Sequence, residues 1–363
     1  MTRANHADGE RLQKFIVTQD PTQRRPKPVA WYRTKIDPFT LKSLHQRSNL
    51  RGALQTFGYL GVIATTATLA TYSAYHWSVG FTLLLTFLHG TVFAFQINAV
   101  HELGHGTAFR TRRLNDIFAA LFAFLGWINH FKFDASHTQH HRFTLHPPDD
   151  LEVRLPIRIV VKDWLLAGFI DFCLIWFKLR DVVQEARGIY RGEWEQSLFP
   201  PTDASARRPP TRWGRFVLGG HVAIVAICGL NGWWMIPIVL TLAPFYGAWL
   251  FFLCNNTQHI GLQDHTADSR LCSRTFTTNP VIQFLYWHMN FHIEHHMYAA
   301  VPCYRLGRLH QVIESDLPKC PHGLLETWRE IAAIQKMQED DPAHQHQPKL
   351  PQPSVGHHKH RPD

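Results

Sequence analysis

The chain has 363 residues, of which 45% are hydrophobic and 18% are charged, and its formal net charge is +9. These averages are typical of a basic globular protein, and they exclude a disordered or collagen-like chain. Histidine is unusually frequent, with 25 residues against 28 Asp and Glu together, which is more than the packing of a core requires.

The chain begins with a polar, basic segment, residues 1–52, which we predict to be a cytoplasmic N-terminal arm. It contains no apolar stretch of the kind found in a cleaved signal peptide. We therefore expect insertion into a membrane to depend on the first spanning helix.

Two long stretches without Asp, Glu, Lys or Arg follow, at residues 52–98 and 216–252. Because about 20 apolar residues cross a bilayer as a helix, each stretch is long enough for two crossings joined by a turn. Buried core helices of a soluble protein are the alternative, but soluble helices usually keep one polar face. We therefore predict an all-α integral membrane protein with two helical hairpins. The four predicted spans are residues 53–74, 79–99, 214–230 and 233–254.

The distribution of basic residues predicts the orientation of these spans. All 37 Lys and Arg lie outside the two charge-free stretches. Two hairpins return the chain to the side on which it started, and the positive-inside rule makes that side cytoplasmic. We expect both termini there, in the inner or plasma membrane of a bacterium or in the endoplasmic reticulum of a eukaryote. The net charge then indicates topology rather than nucleic-acid binding.

The segments between and after the spans are more polar. Residues 116–129 are too short to cross and residues 157–177 contain charges, so we predict that both form helices in the membrane interface. We expect residues 253–335 to complete a cytoplasmic cap on a membrane domain of residues 53–335. The tail, residues 336–363, is rich in Pro, Gln and His and is predicted to be disordered. The six cysteines form no close sequence pair, so we expect isolated thiols rather than a disulfide frame or a zinc ribbon.

Nine histidines fall in four short motifs. These are H-x-x-x-H at residues 101–105, H-x-x-H-H at 137–141, N-x-x-x-H at 255–259 and H-x-x-H-H at 292–296. Spacings of three and four residues place side chains on one face of a helix. The topology, inferred from Lys and Arg alone, puts all four motifs on the cytoplasmic side at a similar depth. One such motif could be a solvated surface helix, but four on the same side of a membrane predict a metal centre.

The number of histidines indicates more than one metal ion. Structural zinc takes four ligands and catalytic zinc takes three, so two ions with four or five nitrogen ligands each would use them. Imidazole binds Fe, Zn, Cu and Ni, so ligand type leaves the metal open. A pair of histidine-bound irons that binds O2 would suit attack on an unactivated C–H bond. The predicted metal-binding residues are His101, His105, His137, His140, His141, Asn255, His259, His292, His295 and His296.

Ligating imidazoles usually donate their other ring N–H to a carboxylate or a carbonyl. Two other histidines, His89 and His221, lie inside predicted spans, where we expect a hydrogen bond to a neighbouring helix rather than haem ligation. The residues predicted to support the ligands are Glu102, Asp134, Asp264, His288 and Glu294.

The first motif also matches H-E-x-x-H, in which two histidines bind zinc and the Glu acts as a general base. An intramembrane zinc metalloprotease is therefore an alternative from another enzyme class. It leaves the other motifs unused, and it needs a third ligand, usually a carboxylate, from an apolar span. Residues 216–252 contain no such carboxylate. A non-enzymatic metal-sensing or structural membrane protein is a further alternative.

The motifs resemble those of a known family, the membrane fatty acid desaturase and hydroxylase superfamily. Four segments are similar to its three histidine boxes and its additional Asn/His element, in the same order: HELGHGTAF, HTQHHRFT, NNTQH and FHIEHH. The resemblance implies four spanning helices under a cytoplasmic cap, a non-haem di-iron centre and an O2-dependent reaction on a lipid chain. It also implies that the nine histidines bind iron directly, that Asn255 binds it through a water, and that cytochrome b5 or ferredoxin with its reductase supplies electrons.

Two departures from the family pattern concern the substrate and the electron donor. The first box is H-x-x-x-H rather than the H-x-x-x-x-H of the stearoyl-CoA type, so an acyl-CoA substrate is not implied. The chain contains no H-P-G-G stretch, so we expect a separate electron donor rather than a fused cytochrome b5. We predict a desaturase of fatty acyl or similar lipid chains. A hydroxylase or ketolase on the same scaffold stays open, because the product depends on substrate positioning that no motif encodes.

Overall fold

A computed structural model describes residues 27–351, and in this part of the chain the structure is helical, with no β-structure beyond isolated bridges. The start of the predicted arm, residues 1–26, and the end of the predicted tail, residues 352–363, lie outside the described residues. In chain order the α-helices are α1 Pro38–Leu44, α2 Asn49–His76, α3 Val79–Phe93, α4 Gln96–Gly104, α5 Arg112–Leu125, α6 His130–Phe143, α7 Val161–Gly168, α8 Phe172–Ala186, α9 Gly192–Leu198, α10 Ala204–Leu230, α11 Met235–Leu240, α12 Trp249–Asn255, α13 Ser269–Cys272, α14 Pro280–Leu285, α15 His292–Met297, α16 Cys303–Ile313 and α17 Gly323–Asp340.

Three helical segments are long and apolar enough to cross a membrane, and they agree with the first three predicted spans. Side-chain caps set where two of them begin: Ser48 accepts a hydrogen bond at the start of α2, and Asp203 accepts two at the start of α10. Many of their large apolar side chains face outward, among them Leu83 and Leu230, as expected of helices surrounded by lipid. The three segments are Asn49–His76, Val79–Gly104 and Ala204–Leu230.

The fourth predicted span, residues 233–254, is not one helix. It is divided into α11, a 3-10 turn at Ala243–Phe245, and α12. Gly247 has a φ of +70°, and a Cβ at this position would lie 2.6 Å from the carbonyl oxygen of Phe87, so the backbone turns tightly against α3. The prediction of a continuous helix was wrong because the absence of charge carries no information about such a break. Elsewhere, α5 and α6 meet at 110° and are together apolar enough for a broken or re-entrant span.

The predicted interfacial helix at residues 157–177 and the predicted tail also differ in detail. Residues 157–177 form α7 and the start of α8 rather than one helix, since Ile170 pairs with Tyr246 in an isolated bridge between them. The described part of the predicted tail is ordered, because α17 extends to Asp340 and the chain beyond it packs against the segment around Gly261. The backbone N–H of His346 donates to the carbonyl of Gly261 at 2.8 Å.

The main core lies where α3, α4 and α5 meet α14, α15 and α16, and it contains the fully buried side chains of Phe93 and Trp287. The two histidines inside the spans hydrogen-bond to neighbouring elements, as predicted. His89 Nε2 lies 2.8 Å from the carbonyl oxygen of Val239, and His221 Nε2 lies 2.9 Å from that of Phe124. This packing brings the histidine-bearing ends of α4, α6 and α15 together.

Candidate metal centre

The structure brings all nine predicted histidines together in two adjacent groups. Within each group, one ring nitrogen of every member lies within 4.8 Å of the others. The groups adjoin each other, since the rings of His141 and His296, one from each group, have centroids 4.6 Å apart. The five-histidine group is His101, His105, His137, His141 and His295, and the four-histidine group is His140, His259, His292 and His296.

Each H-x-x-H-H helix contributes to both groups. In α6 the i and i+4 residues, His137 and His141, belong to the five-histidine group, whereas His140 points into the other. In α15 the arrangement is reversed, and His295 is the residue that joins the five-histidine group. Residues four apart lie almost one above the other on a helix, whereas the third is rotated to the side. The three imidazoles of one motif therefore divide between two centres.

Six of the nine histidines are buried, and three, His105, His141 and His296, are half-buried. Burial lowers the pKa of eight of them, whereas the hydrogen bond to Asp150 raises the pKa of His140 against the effect of burial. His295 is fully buried and His292 is 2% exposed. Burial, followed by repulsion from His140, lowers the pKa of His259 to about 3. Burial and neighbouring imidazoles also hold the pKa values of His292 and His296 well below the ordinary value. Neutral imidazole is the form that binds metal ions.

Hydrogen bonds donated by Nδ1 fix the orientation of four rings. Carboxylates and backbone carbonyls accept hydrogen bonds, so the ring nitrogen that faces them carries the proton and Nε2 keeps its lone pair. These contacts are His101 to Glu102 at 3.0 Å, His137 to Glu152 at 2.8 Å, His140 to Asp150 at 2.8 Å and His259 to the carbonyl of Cys272 at 2.7 Å.

The remaining nitrogen atoms face one another. The Nε2 atoms of His137 and His141 lie 3.0 Å apart, as do those of His259 and His292. Nε2 of His105 is buried and has no hydrogen-bond partner within residues 27–351. Several buried lone pairs at this spacing repel one another unless a cation lies between them. The donor set therefore fits a metal ion in each group.

Among the predicted supporting residues, Glu102 lies beside the ligands. Its buried carboxylate accepts a hydrogen bond from Nδ1 of His101 and lies 3.6 Å from Nδ1 of His295, beyond hydrogen-bond distance. Asn255 is the last residue of α12, one turn before His259. Its contact with a metal through water stays a prediction.

The structure corrects the prediction for Glu294 and His288. Glu294 points away from the clustered histidines of α15, and its carboxylate instead hydrogen-bonds to His310 and Thr275. His288 hydrogen-bonds to Gln283 at 2.9 Å. Proximity in sequence to the H-x-x-H-H motif at residues 292–296 was the basis of both predictions, and the helix directs Glu294 to the opposite face.

Asp134 and Asp264 also differ from the prediction. Asp134 lies against Gly104, where a Cβ would be 2.7 Å from its carboxylate oxygen, and has no hydrogen bond to a histidine of either group. Asp264 accepts a hydrogen bond from Gln345 at 2.7 Å, so it anchors the segment after α17. Neither carboxylate therefore hydrogen-bonds to a histidine of the two groups.

The main supporting residues that sequence analysis missed lie in the loop after α6. Asp150 is fully buried, and besides His140 it accepts hydrogen bonds from the backbone N–H groups of Leu145 and Glu152. In the same loop Thr144 has its hydroxyl 3.2 Å from Nδ1 of His296. Three acidic residues within positions 149–152, shortly after the second motif, were the sequence signal by which this loop could have been found.

Comparison with known proteins agrees with this geometry. The family model described as fatty acid desaturase matches residues 75–328, a segment that covers most of the chain and contains all nine histidines. No curated protein matches the chain significantly. The extent of the family match and the histidine motifs inside it lead to one conclusion: the chain belongs to the fatty acid desaturase family.

Proposed function

We propose that the chain is a membrane-bound, O2-dependent di-iron oxidase that introduces a C=C bond into a fatty acyl or similar lipid chain. The observation that carries this proposal is the division of nine buried or half-buried histidines into two adjacent groups. Two groups of five and four nitrogen ligands suit two ions. Membership of the family implies an oxidoreductase, and an all-nitrogen pair of irons is the form of centre that we propose.

The chain's own residues prepare the site for such ions. Two irons bound there would supply activation of O2 and oxidation of a C–H bond. Glu102, Asp150 and Glu152 hold the Nδ1 protons of three ligands, so that their Nε2 lone pairs face the ion positions. The burial of His292 and His295 keeps bulk water away from the ligand atoms, which protects a strongly oxidising site from side reactions.

The surroundings of the centre support a lipid substrate. One of the three helical segments long and apolar enough to cross a bilayer, Val79–Gly104, carries His101 of the five-histidine group near its end, so an acyl chain would approach from the membrane. We propose that the basic segments and both termini lie in the cytoplasm, where a separate cytochrome b5 or ferredoxin with its reductase would deliver electrons to the cap. The positive-inside rule supports that orientation.

The geometry does not favour the protease alternative. In a zinc protease the Glu of H-E-x-x-H must reach the water on the metal side of the histidines. Here Glu102 faces Nδ1 of His101, on the ring edge away from the lone pair, and it is 1% exposed. The structure also surrounds His101 and His105 with three further histidines that a protease would leave unused.

Lipid analysis tests the proposed reaction. The chain is expressed in cells that lack it, and extracted lipids are compared by mass spectrometry with those of cells carrying the His140→Ala or His295→Ala variant. We expect one class of lipid chain to lose two hydrogen atoms, and both variants to abolish the change. The exposed His322 supplies a matched control, since His322→Ala leaves both groups intact. A gain of one oxygen atom would instead establish a hydroxylase. Unchanged lipids together with shortened peptides would support the protease alternative.

A further inference from the structure

A cleft of about 560 Å³ lies on the surface where the first turns of α10 pass the start of α6. Two arginines, Arg208 and Arg212, and three aromatic residues, Phe131, Trp213 and Phe216, form most of its lining. The histidine groups contain none of these residues. The cleft is therefore separate from the candidate metal centre.

The arginines of α10 divide into two kinds. Arg207 lies over the ring of Tyr190 at 5.0 Å, and Nε of Arg215 donates to the carbonyl of Ala186 at 2.8 Å, so both serve the packing of α10. Arg208 and Arg212 are exposed, and neither has a side-chain hydrogen bond or ion pair with another residue in 27–351. They are four residues apart, which places both guanidinium groups on one face.

The lining of the cleft contains no carboxylate. The nearest acidic residue in the sequence, Asp203, is occupied as the cap of α10, where it accepts hydrogen bonds from Ser205 and from the backbone N–H of Ala206. Two positive charges therefore line the cleft, and no negative side chain in its lining balances them. Such a surface is complementary to an anion.

The walls of the cleft are fixed in place. The indole N–H of Trp213 donates to the carbonyl of Ile128 at 2.8 Å, and the Asn129 side chain donates to the carbonyl of Pro210 at 2.9 Å. Both hydrogen bonds join α10 to the turn between α5 and α6. The shape of the cleft therefore depends on packed elements rather than on a loose loop.

The position of the cleft along α10 indicates the kind of anion. Arg215 is the last charged residue before the charge-free stretch at residues 216–252, and Phe216, at its start, is 58% exposed. Arginine and aromatic side chains at this point of a span are typical of the headgroup level. An occupant would therefore have its charged part at the arginines and its apolar part along the outward face of α10.

We propose that this cleft binds the phosphate headgroup of an anionic membrane lipid. The planar forks of Arg208 and Arg212 suit bidentate contacts with phosphate oxygens, and exposed Phe131 and Phe216 contact the first part of the acyl chains. A soluble phosphate would make only the first of these contacts. The proposal does not depend on the metal or on the reaction catalysed.

Native mass spectrometry of the full chain in detergent tests the proposal, with dioctanoyl-phosphatidylglycerol as the probe. We expect one molecule of the probe to bind each chain more tightly than any further molecules. Each of Arg208→Gln and Arg212→Gln should weaken it about fivefold, and the double variant about 25-fold, since a basic residue at a membrane surface contributes on this order. The control, Arg308→Gln with Arg329→Gln, removes two exposed arginines of α16 and α17 and should leave binding unchanged.

Three results would overturn the proposal. The double variant with Gln could bind the probe as tightly as the original chain, which would show that the two arginines do not bind the lipid. Dioctanoylglycerol, which lacks the phosphate, could bind equally well, which would leave only apolar contact. Glycerol 3-phosphate could bind as tightly as the lipid, which would assign the cleft to a soluble phosphate. The melting temperature of each variant shows that it is folded. It is expected to be unchanged, because these side chains make no hydrogen bond to another residue between 27 and 351.

Discussion

The two histidine groups are supported in different ways. In the five-histidine group two carboxylates hold ring nitrogens, and the Glu152 side chain is 22% exposed. The four-histidine group relies on the fully buried carboxylate of Asp150, a backbone carbonyl and the hydroxyl of Thr144. The smaller group therefore has fewer ligands but a more interior set of supports. We expect it to depend more strongly on each individual contact.

One loop connects the two groups. Asp150 orients His140 of the four-histidine group, and Glu152, two residues later, orients His137 of the five-histidine group. Asp150 also accepts a hydrogen bond from the backbone N–H of Glu152, which fixes the positions of the two residues relative to each other. A change at Asp150 is thus expected to affect both groups, whereas a change at Glu152 should affect mainly one.

The largest difference between the two groups is expected in the metal content of variants that each lack one histidine of one group. His259→Ala leaves three histidines in the smaller group, and His105→Ala leaves four in the larger. We expect the His259 variant to fall from about two metal ions per chain to about one, since three ligands hold a metal less well than four. The His105 variant should retain more metal. Equal losses, measured by elemental analysis at matched protein concentration, would remove the distinction between the groups.

Asp150→Asn is expected to have the next largest effect. The amide cannot accept all of the hydrogen bonds that the carboxylate receives from His140, Leu145 and Glu152. Loss of such a support typically weakens metal binding about 10- to 100-fold. Because Asp150 is buried, we expect a loss of affinity of about 100-fold for this variant. Competition with a chelator measures the affinity. An unchanged affinity would show that Asp150 serves the loop and not His140.

Glu152→Gln should have a smaller effect, about 10-fold or less in metal affinity. The Gln oxygen can still accept from Nδ1 of His137, and the site is partly exposed to water. The same chelator competition measures the difference. If Glu152→Gln were more damaging than Asp150→Asn, the proposed order of the two supports would be wrong.

The smallest effect is expected for Thr144→Val. The hydroxyl donates to the carbonyl of His140 and lies 3.2 Å from His296. Its loss should lower the free energy of unfolding by about 1 kcal/mol, with less than about a threefold change in metal affinity because His296 retains its ligand nitrogen. Thermal unfolding and the chelator assay together separate the two quantities. Asp264→Asn, outside both groups, should leave the chelator result unchanged.

The nine histidines could be located from the sequence because spacings of three and four residues report a shared helix face. The sequence did not predict which histidine joins which group, since that depends on the angle between α6 and α15. The same limit explains the wrong partner for Glu294, which is close to the ligands in sequence but faces His310. Asp150 and Glu152 were missed because the course of a loop is not encoded in a periodic pattern.

The membrane spans likewise show which features the sequence pattern predicts and which depend on local backbone contacts. Charge-free length predicted α2, the α3–α4 segment and α10, whose apolar character extends over many residues. It did not predict the break of the fourth span, where Gly247 and the 3-10 turn beside it pack closely against α3. Composition thus reports the environment of a segment, whereas local steric contacts decide whether it remains one helix.

Iron content is the most direct test of the central claim, that nine histidines hold two irons in two groups. The full chain, purified from iron-supplied cells, is analysed for iron per chain beside its His259→Ala and His322→Ala variants. We predict about two irons for the original chain and for His322→Ala, and about one for His259→Ala. One iron or less in the original chain, or an unchanged content in His259→Ala, would contradict the claim.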